Sequence, residues 1–184
     1  MRDLSLHLLD LAQNSITAGA KLVTIGLTLD EKGMLTFTLE DDGKGMPPEL
    51  LSRVTSPFST TRPTRKVGLG IPMMMENARL SGGDLTIRSE VGKGTTLTAT
   101  LDTHNIDCLP LGDLPGTLLS LILMNPDKPD FLFEGKTPKG VCSFDTRPVR
   151  ETLGGLPLNE PDVAAWIKDA LEEEINPIFG GVNL

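Results

Sequence analysis

The sequence predicts an α/β protein with a small α+β appendage, and three observations carry that prediction. Residues 4–18 place apolar side chains at helical spacing. Residues 21–29 with 34–41, and 84–90 with 95–101, read as two pairs of alternating strands. A helix at about 69–81 lies between the pairs, opening at Gly68-Leu69-Gly70 and ending at Gly82-Gly83.

Each element follows from its own pattern. On a helical wheel, Leu4, Leu8, Leu9, Leu11, Ala12 and Ile16 cover one broad arc of the first helix. Asp3, His7, Asp10, Asn14 and Thr17 fall in a narrow stripe opposite. Val23, Ile25, Leu27 and Leu29 alternate with Thr24, Gly26 and Thr28, and Leu35, Phe37 and Leu39 share one face of the next strand. Met46 to Val67 is a long stretch rich in Pro, Ser and Thr, read as an irregular lid; loops of that length in compact domains are usually functional. The last strand pair is joined by Val91-Gly92-Lys93-Gly94, a turn signal. A boundary near residue 105 divides the chain into a domain at 1–105 and a smaller acidic unit at 106–184. In the latter, a strand is predicted at 117–124, a turn at Asn125-Pro126-Asp127, and strands near 130–134 and 140–145. A final helix is predicted at about 161–175, with Pro161 at its start.

Composition excludes several classes. The chain has 184 residues, 39% of them apolar, which is enough for a real core. No apolar run approaches the roughly 18 residues that span a bilayer, and MRDLSLHLLDL lacks the pattern of a signal peptide. Net charge is −8, and residues 106–184 hold nearly all of it, with 6 Lys/Arg against 13 Asp/Glu. That balance, with one Trp and no Tyr, argues against a nucleic-acid partner. Cys108 and Cys142 lack metal-type spacing; a disulfide is conceivable, but a reduced cytoplasmic chain fits better.

Four motifs carry chemistry. The stripe on the first helix suits a solvated face, yet it holds short, directional groups where such a face usually has Lys, Glu and Arg. Asn14 offers a neutral oxygen of the kind Mg²⁺ takes beside phosphate oxygens, and Asp10, one turn earlier, is placed to accept a proton. Asp41 continues the inward register of Leu35, Phe37 and Leu39, so its carboxylate needs a hydrogen-bond partner such as an adenine amino group. Gly43 and Gly45 allow a tight backbone beside it, as an ordinary Asp/Gly turn also would. Gly68-Leu69-Gly70 opens a helix whose backbone N–H groups suit a phosphate, and Arg62, Arg65 and Lys66 add positive charge. Gly92-Lys93-Gly94-Thr95 is a hairpin turn, with at most a minor ligand role.

Their order and spacing resemble the superfamily of DNA gyrase, the large heat-shock chaperone, histidine kinases and MutL, the GHKL ATPases. Leu8-Leu9-Asp10-Leu11-Ala12-Gln13-Asn14-Ser15 with Ala18-Gly19-Ala20 looks like the N box, and Asp41-Asp42-Gly43-Lys44-Gly45-Met46 like the first glycine box. Pro57-Phe58-Ser59-Thr60-Thr61 looks like the kinase F box, Gly68-Leu69-Gly70 like the second glycine box, and Gly92-Lys93-Gly94-Thr95 like the last. The resemblance spans roughly residues 4–103. It implies a two-layer α/β sandwich of the Bergerat type, with a mixed, mostly antiparallel sheet and helices on one face. It also implies ATP and Mg²⁺ as ligands. Asn14 would hold the metal and Asp41 would read adenine. Gly43, Gly45, Met46, Thr60, Thr61, Arg65, Lys66, Val67, Gly68, Leu69, Gly70 and Thr95 would line the nucleotide, with Asp10 as catalytic base.

Two departures shape the expected function. Many members have Glu where this chain has Asp10, which bears on turnover more than on binding. The N box begins almost at Met1, so no upstream phosphoacceptor hairpin is expected, and neither His7 nor His104 suits that role. The leading expectation is a stand-alone protein kinase acting on a partner in trans. An ATP-gated switch with slow ATPase activity and an ATP-binding adaptor are the alternatives. The residues leave the protein partner and the oligomeric state open.

Overall fold

The computed structural model describes residues 2–56 and 69–182. Helix α1 (Leu4–Thr17) starts where Asp3 turns extended and accepts the Leu6 N–H at 2.9 Å, an N-cap that satisfies one orphan donor. It buries Leu4, Leu8, Leu11 and Ala12. Strands β1 (Leu22–Leu29) and β2 (Met34–Asp41) form an antiparallel hairpin in which Ile25 faces Leu39. The turn is held by the Asp30 carboxylate, which accepts the N–H groups of Lys32 and Met34, both at 2.9 Å. Helix α2 (Pro48–Thr55) and helix α3 (Gly70–Leu80) follow, then strands β3 (Asp84–Glu90) and β4 (Gly94–Asp102). The remaining elements are α4 (Leu114–Met124), β5 (Asp130–Thr137), β6 (Gly140–Asp145), α5 (Thr146–Leu153) and α6 (Pro161–Phe179).

The six strands form one open mixed sheet in the order β3-β4-β2-β1-β5-β6, and only the β1–β5 pair is parallel. Strand alternation sends Val23, Ile25, Leu35, Phe37, Leu97, Ala99, Phe131 and Phe133 to one face, where α1, α3, α4 and α6 cover them. The opposite face carries Thr24, Thr36, Thr38, Thr98 and Thr100, all partly exposed. This is the two-layer α/β sandwich with helices on one face.

Residues 106–184 contribute to the same sheet. Strand β5 pairs with β1 over seven positions, from Leu22↔Asp130 to Thr28↔Lys136. The first turn of α1 is also closed by this region: the N–H groups of Leu4 and Ser5 donate to the carbonyls of Pro110 and Leu111 at 2.9 and 3.0 Å. The boundary placed near residue 105 is therefore not a break in the sheet, and one apolar core runs across it.

Several expectations need correction. Residues 117–124 are not a strand but the body of α4, which buries Leu114, Leu118, Leu121 and Ile122 at helical spacing. The Asp113 carboxylate caps it by accepting the Gly116 N–H at 3.0 Å. The stretch from Met46 is not irregular throughout, because α2 occupies Pro48–Thr55 with Pro48 in its first turn. Helix α5 has no counterpart in the sequence reading; Asp145 caps it and Gly154 ends it in the left-handed region. Helix α6 also runs past 175 to Phe179, through Pro177.

Candidate functional site

Asp41 ends β2 as the sequence requires, pointing inward and buried beneath α1. Its carboxylate is held on both oxygens: Ser15 Oγ donates to Oδ2 at 2.6 Å, and the Gly43 N–H donates to Oδ1 at 2.9 Å. On the neighbouring strand Thr95 is its register partner, and Thr95 Oγ1 lies 2.8 Å from Ser89 Oγ. The next carboxylate, Asp42, braces the backbone, since its Oδ1 accepts the N–H groups of Lys21 and Leu22 at 2.7 and 3.0 Å. Its desolvation alone would raise its pKa, but these backbone donors outweigh it and hold the group below the usual carboxylate range.

Two glycines close the backbone around this end of the sheet. Gly45 has φ +68°, and a Cβ on it would sit 2.0 Å from the Glu90 carbonyl oxygen. Gly94 has φ +118°, and a Cβ there would sit 1.9 Å from the Asp41 carbonyl oxygen. Both positions need the left-handed freedom and the missing side chain of glycine. The loop is further tied by the Met46 N–H, which donates to Ser89 Oγ at 2.8 Å, and by the Lys44 N–H, which donates to the Ala18 carbonyl at 2.9 Å.

Asp10 and Asn14 project from α1, both exposed and one helical turn apart. Asp10 meets the start of α3: a Cβ on Gly70 would lie 2.1 Å from Asp10 Oδ2. The N-box carboxylate and the second glycine motif thus share one corner, at a helix N-terminus whose residue Leu69 supplies no side-chain cap. That corner lies at the positive end of the α3 dipole. Asp10 and Ser15 are five residues apart, about 7.5 Å along the helix axis.

The structure therefore brings Asp10, Asn14, Asp41, Gly43, Gly45, Met46, Leu69, Gly70 and Thr95 to one end of the sheet and the adjoining helices. Thr60, Thr61, Arg65, Lys66, Val67 and Gly68 lie outside the described residues, as do Arg62 and the F-box residues Pro57, Phe58 and Ser59. His7 leaves the polar stripe: it is fully buried, and Asn77 Nδ2 donates to its Nε2 at 2.7 Å. His104 stands beside Asp102 and Gly33, at the end of the sheet where β2 begins, whereas Asp41 is where β2 ends. Eight strand residues separate those ends by roughly 25 Å. Sequence reasoning missed Ser15 and Ser89 as partners of the site. Ser15 immediately follows Asn14, yet a single small polar residue on a helix carries no signal of its own.

A buried carboxylate at a strand end, a glycine-closed loop around it and an acid at a helix N-terminus thus lie together at one end of the α/β sandwich. A family model described as histidine kinase-, DNA gyrase B-, and HSP90-like ATPase matches residues 2–105. The chain belongs to that family, and its domain is an ATP-binding one. Among curated relatives, it is similar to the aerobic respiration control sensor protein ArcB of Escherichia coli (strain K12), 29% identical over 161 residues, covering 82% of this chain and 19% of ArcB. It is also similar to the sensor kinase CckA of Brucella abortus (strain 2308), 41% identical over 69 residues, or 37% of this chain and 7% of CckA. Sporulation kinase C of Bacillus subtilis (strain 168) is 33% identical over 95 residues, or 50% of this chain and 22% of that kinase. The chain thus spans 19% of ArcB, 7% of CckA and 22% of sporulation kinase C, a minor part of each relative's length. Among solved structures, full-length ShkA in complex with AMPPNP is 24% identical at TM-score 0.42, covering 52% of this chain and 20% of that one. The N-terminal domain of a DNA repair protein is 17% identical at TM-score 0.47, covering 77% of this chain and 53% of that one.

Proposed function

We propose that the protein is a Mg·ATP-dependent protein kinase that transfers the γ-phosphoryl group to an acceptor outside these 184 residues. The observation that carries this reading is the contact between Asp10 and Gly70, which sets a carboxylate at the helix N-terminus where phosphates are best held. In this reading Asp41 accepts a hydrogen bond from the adenine amino group, with Thr95 beside it. The phosphates lie along α1 toward α3, and Gly43, Gly45, Met46, Leu69 and Gly70 form the walls. Thr60, Thr61, Arg65, Lys66, Val67 and Gly68 are assigned to the phosphate side by motif.

Mg²⁺ suits the residues present. Asn14 offers an exposed hard oxygen, and among the described residues no cluster of three His, Cys, Asp or Glu forms a rival metal site. The ion would be carried with the nucleotide and would neutralise phosphate charge. Asp10 orients the acceptor group and takes its proton. Within the chain neither histidine is placed to receive the phosphoryl group, since His7 is buried against α3 and His104 stands at the far end of the sheet. Two of the relatives carry kinase in their printed names, sensor kinase CckA and sporulation kinase C, which favours kinase chemistry.

We place the protein in the cytoplasm. Its two thiols, Cys108 and Cys142, are unpaired, as a reducing compartment keeps them. Among the described residues no helix is long and apolar enough to cross a membrane.

The test incubates the purified protein with γ-labelled ATP and an extract of its own cell. Labelled bands are expected, and Asp10→Asn should keep ATP affinity by calorimetry while label transfer falls about 10²–10⁴-fold. Strong Asp10-dependent phosphate release without a labelled partner would move the reading to an ATP-gated switch. One observation favours that second reading: residues 110–111 close the first turn of α1, so the nucleotide helix and the acidic region are mechanically joined. Tight ATP binding with neither label nor hydrolysis would leave a binding adaptor.

A further inference from the structure

The hydroxyl of Ser15 does something unusual for a serine inside a helix. Such a residue commonly bonds the carbonyl one turn back on its own helix. Ser15 instead reaches across to another element, donating to Asp41 Oδ2 at 2.6 Å over a sequence separation of 26 residues. Both groups are buried, and Ser15 is 2% exposed. The Gly43 N–H takes the other carboxylate oxygen at 2.9 Å. With both oxygens anchored, the Asp41 carboxylate cannot turn about its own bond. It presents its remaining lone pairs in one fixed direction, as acceptors only.

We infer that Ser15 is a positioning residue for base recognition: it holds Asp41 so that the site selects a purine bearing a 6-amino group. The inference rests on the ATP-site reading above and adds to it the residue that orients the base-reading carboxylate. Ser15 follows Asn14 and lies five residues after Asp10 on the same helix. The bond therefore also ties the base contact to the helix that faces the phosphates. Removing the hydroxyl leaves Gly43 as the remaining anchor, and the carboxylate becomes free to rotate away from the amino group.

The experiment titrates the full chain and Ser15→Ala by calorimetry with ATP and with purine riboside triphosphate, which lacks only the 6-amino group. The unmodified chain should prefer ATP by about tenfold or more, the worth of one charged-acceptor hydrogen bond. Ser15→Ala should lose about tenfold in ATP affinity while its affinity for the analogue stays within about twofold. Unchanged analogue binding also shows that the variant is folded. Ser15→Thr, which keeps the hydroxyl, should restore the preference. An equal loss for both nucleotides would overturn the inference, because Ser15 would then only shape α1. Unchanged ATP affinity would overturn it as well. If the unmodified chain binds both nucleotides equally, Asp41 does not read the amino group and the inference falls with that assignment. If it binds neither, the ATP-site reading itself fails.

Discussion

At the scale of single residues, the site follows from where small changes in register place polar groups. Asp41 was legible because alternation on β2 allows only one face for it, and the structure keeps it buried beside Thr95. A carboxylate there accepts well from an amino group, and Asp41→Asn replaces one acceptor oxygen by a donor. ATP affinity should fall about tenfold or more, read by calorimetric titration; an unchanged affinity in a folded variant would remove Asp41 from the base contact. Asn14 is exposed, so its replacement disturbs no packing. Asn14→Ala should abolish the Mg²⁺-dependent part of ATP affinity and leave residual nucleotide contact, tested by titrations with and without the metal. Identical Mg²⁺ dependence in both proteins would make the stripe a wet helix face and nothing more. Ser15 was illegible for the opposite reason. Its importance comes from a partner 26 residues away, and no local pattern encodes that.

At the scale of elements, the strands were read well because period-two alternation survives in each of them. Helix α4 was misread because Leu118 to Met124 is a short, almost wholly apolar run, which periodicity alone cannot assign. The cues that decide it lie just upstream, in the capping Asp113 and in Pro115 at the first turn. The α1–α3 interface holds the second surprise. The wheel set His7 with Asp10 and Asn14, yet α3 packs over it and leaves its Nδ1 buried without a partner. Desolvation is the main cause of a lowered His7 pKa and the positive charge of the N-terminus adds to it, with Asp10 on α1 and its capping residue Asp3 pulling the other way and neutral Asn77 facing it from α3. The native ring therefore binds a proton less readily than the unfolded one, whose pKa is about 6.5. Stability is intact above that value and falls as pH drops through it toward the lower native value. His7→Gln removes the titration, so its deficit relative to the parent should shrink on moving from about pH 7.5 to about pH 5.5. Urea unfolding of both proteins at the two pH values measures this; a deficit independent of pH would mean that His7 does not titrate across the transition.

At the scale of the whole molecule, the question is whether residues 106–184 fold as a unit of their own. The sequence shows a break near residue 105, where charge shifts and the matched family model ends. The structure runs its sheet across that point, because β5 lies parallel to β1 and fills what would otherwise be an open edge. Helix α4 packs on α1, and α6 covers β5 and β6, so the buried residues form one cluster from Leu4 to Phe179. Parallel pairing between strands a hundred residues apart cannot be seen in either strand alone, which explains why the sequence pattern separates them. A shared core predicts shared cooperativity. Calorimetry should show one unfolding transition, raised as a whole by Mg·ATP through mass action. Leu121→Ala, at a position 1% exposed on α4, leaves a cavity costing about 2–5 kcal/mol. Its Tm should drop by roughly 5 °C or more, with the transition staying single. If two transitions appear, and Leu121→Ala moves only the one that Mg·ATP leaves in place, the acidic region is an independent domain docked on the ATP-binding one. A single transition shifted by both ligand and substitution would make the region part of the ATP-binding fold, so that whatever engages it acts on α1 without crossing a domain boundary.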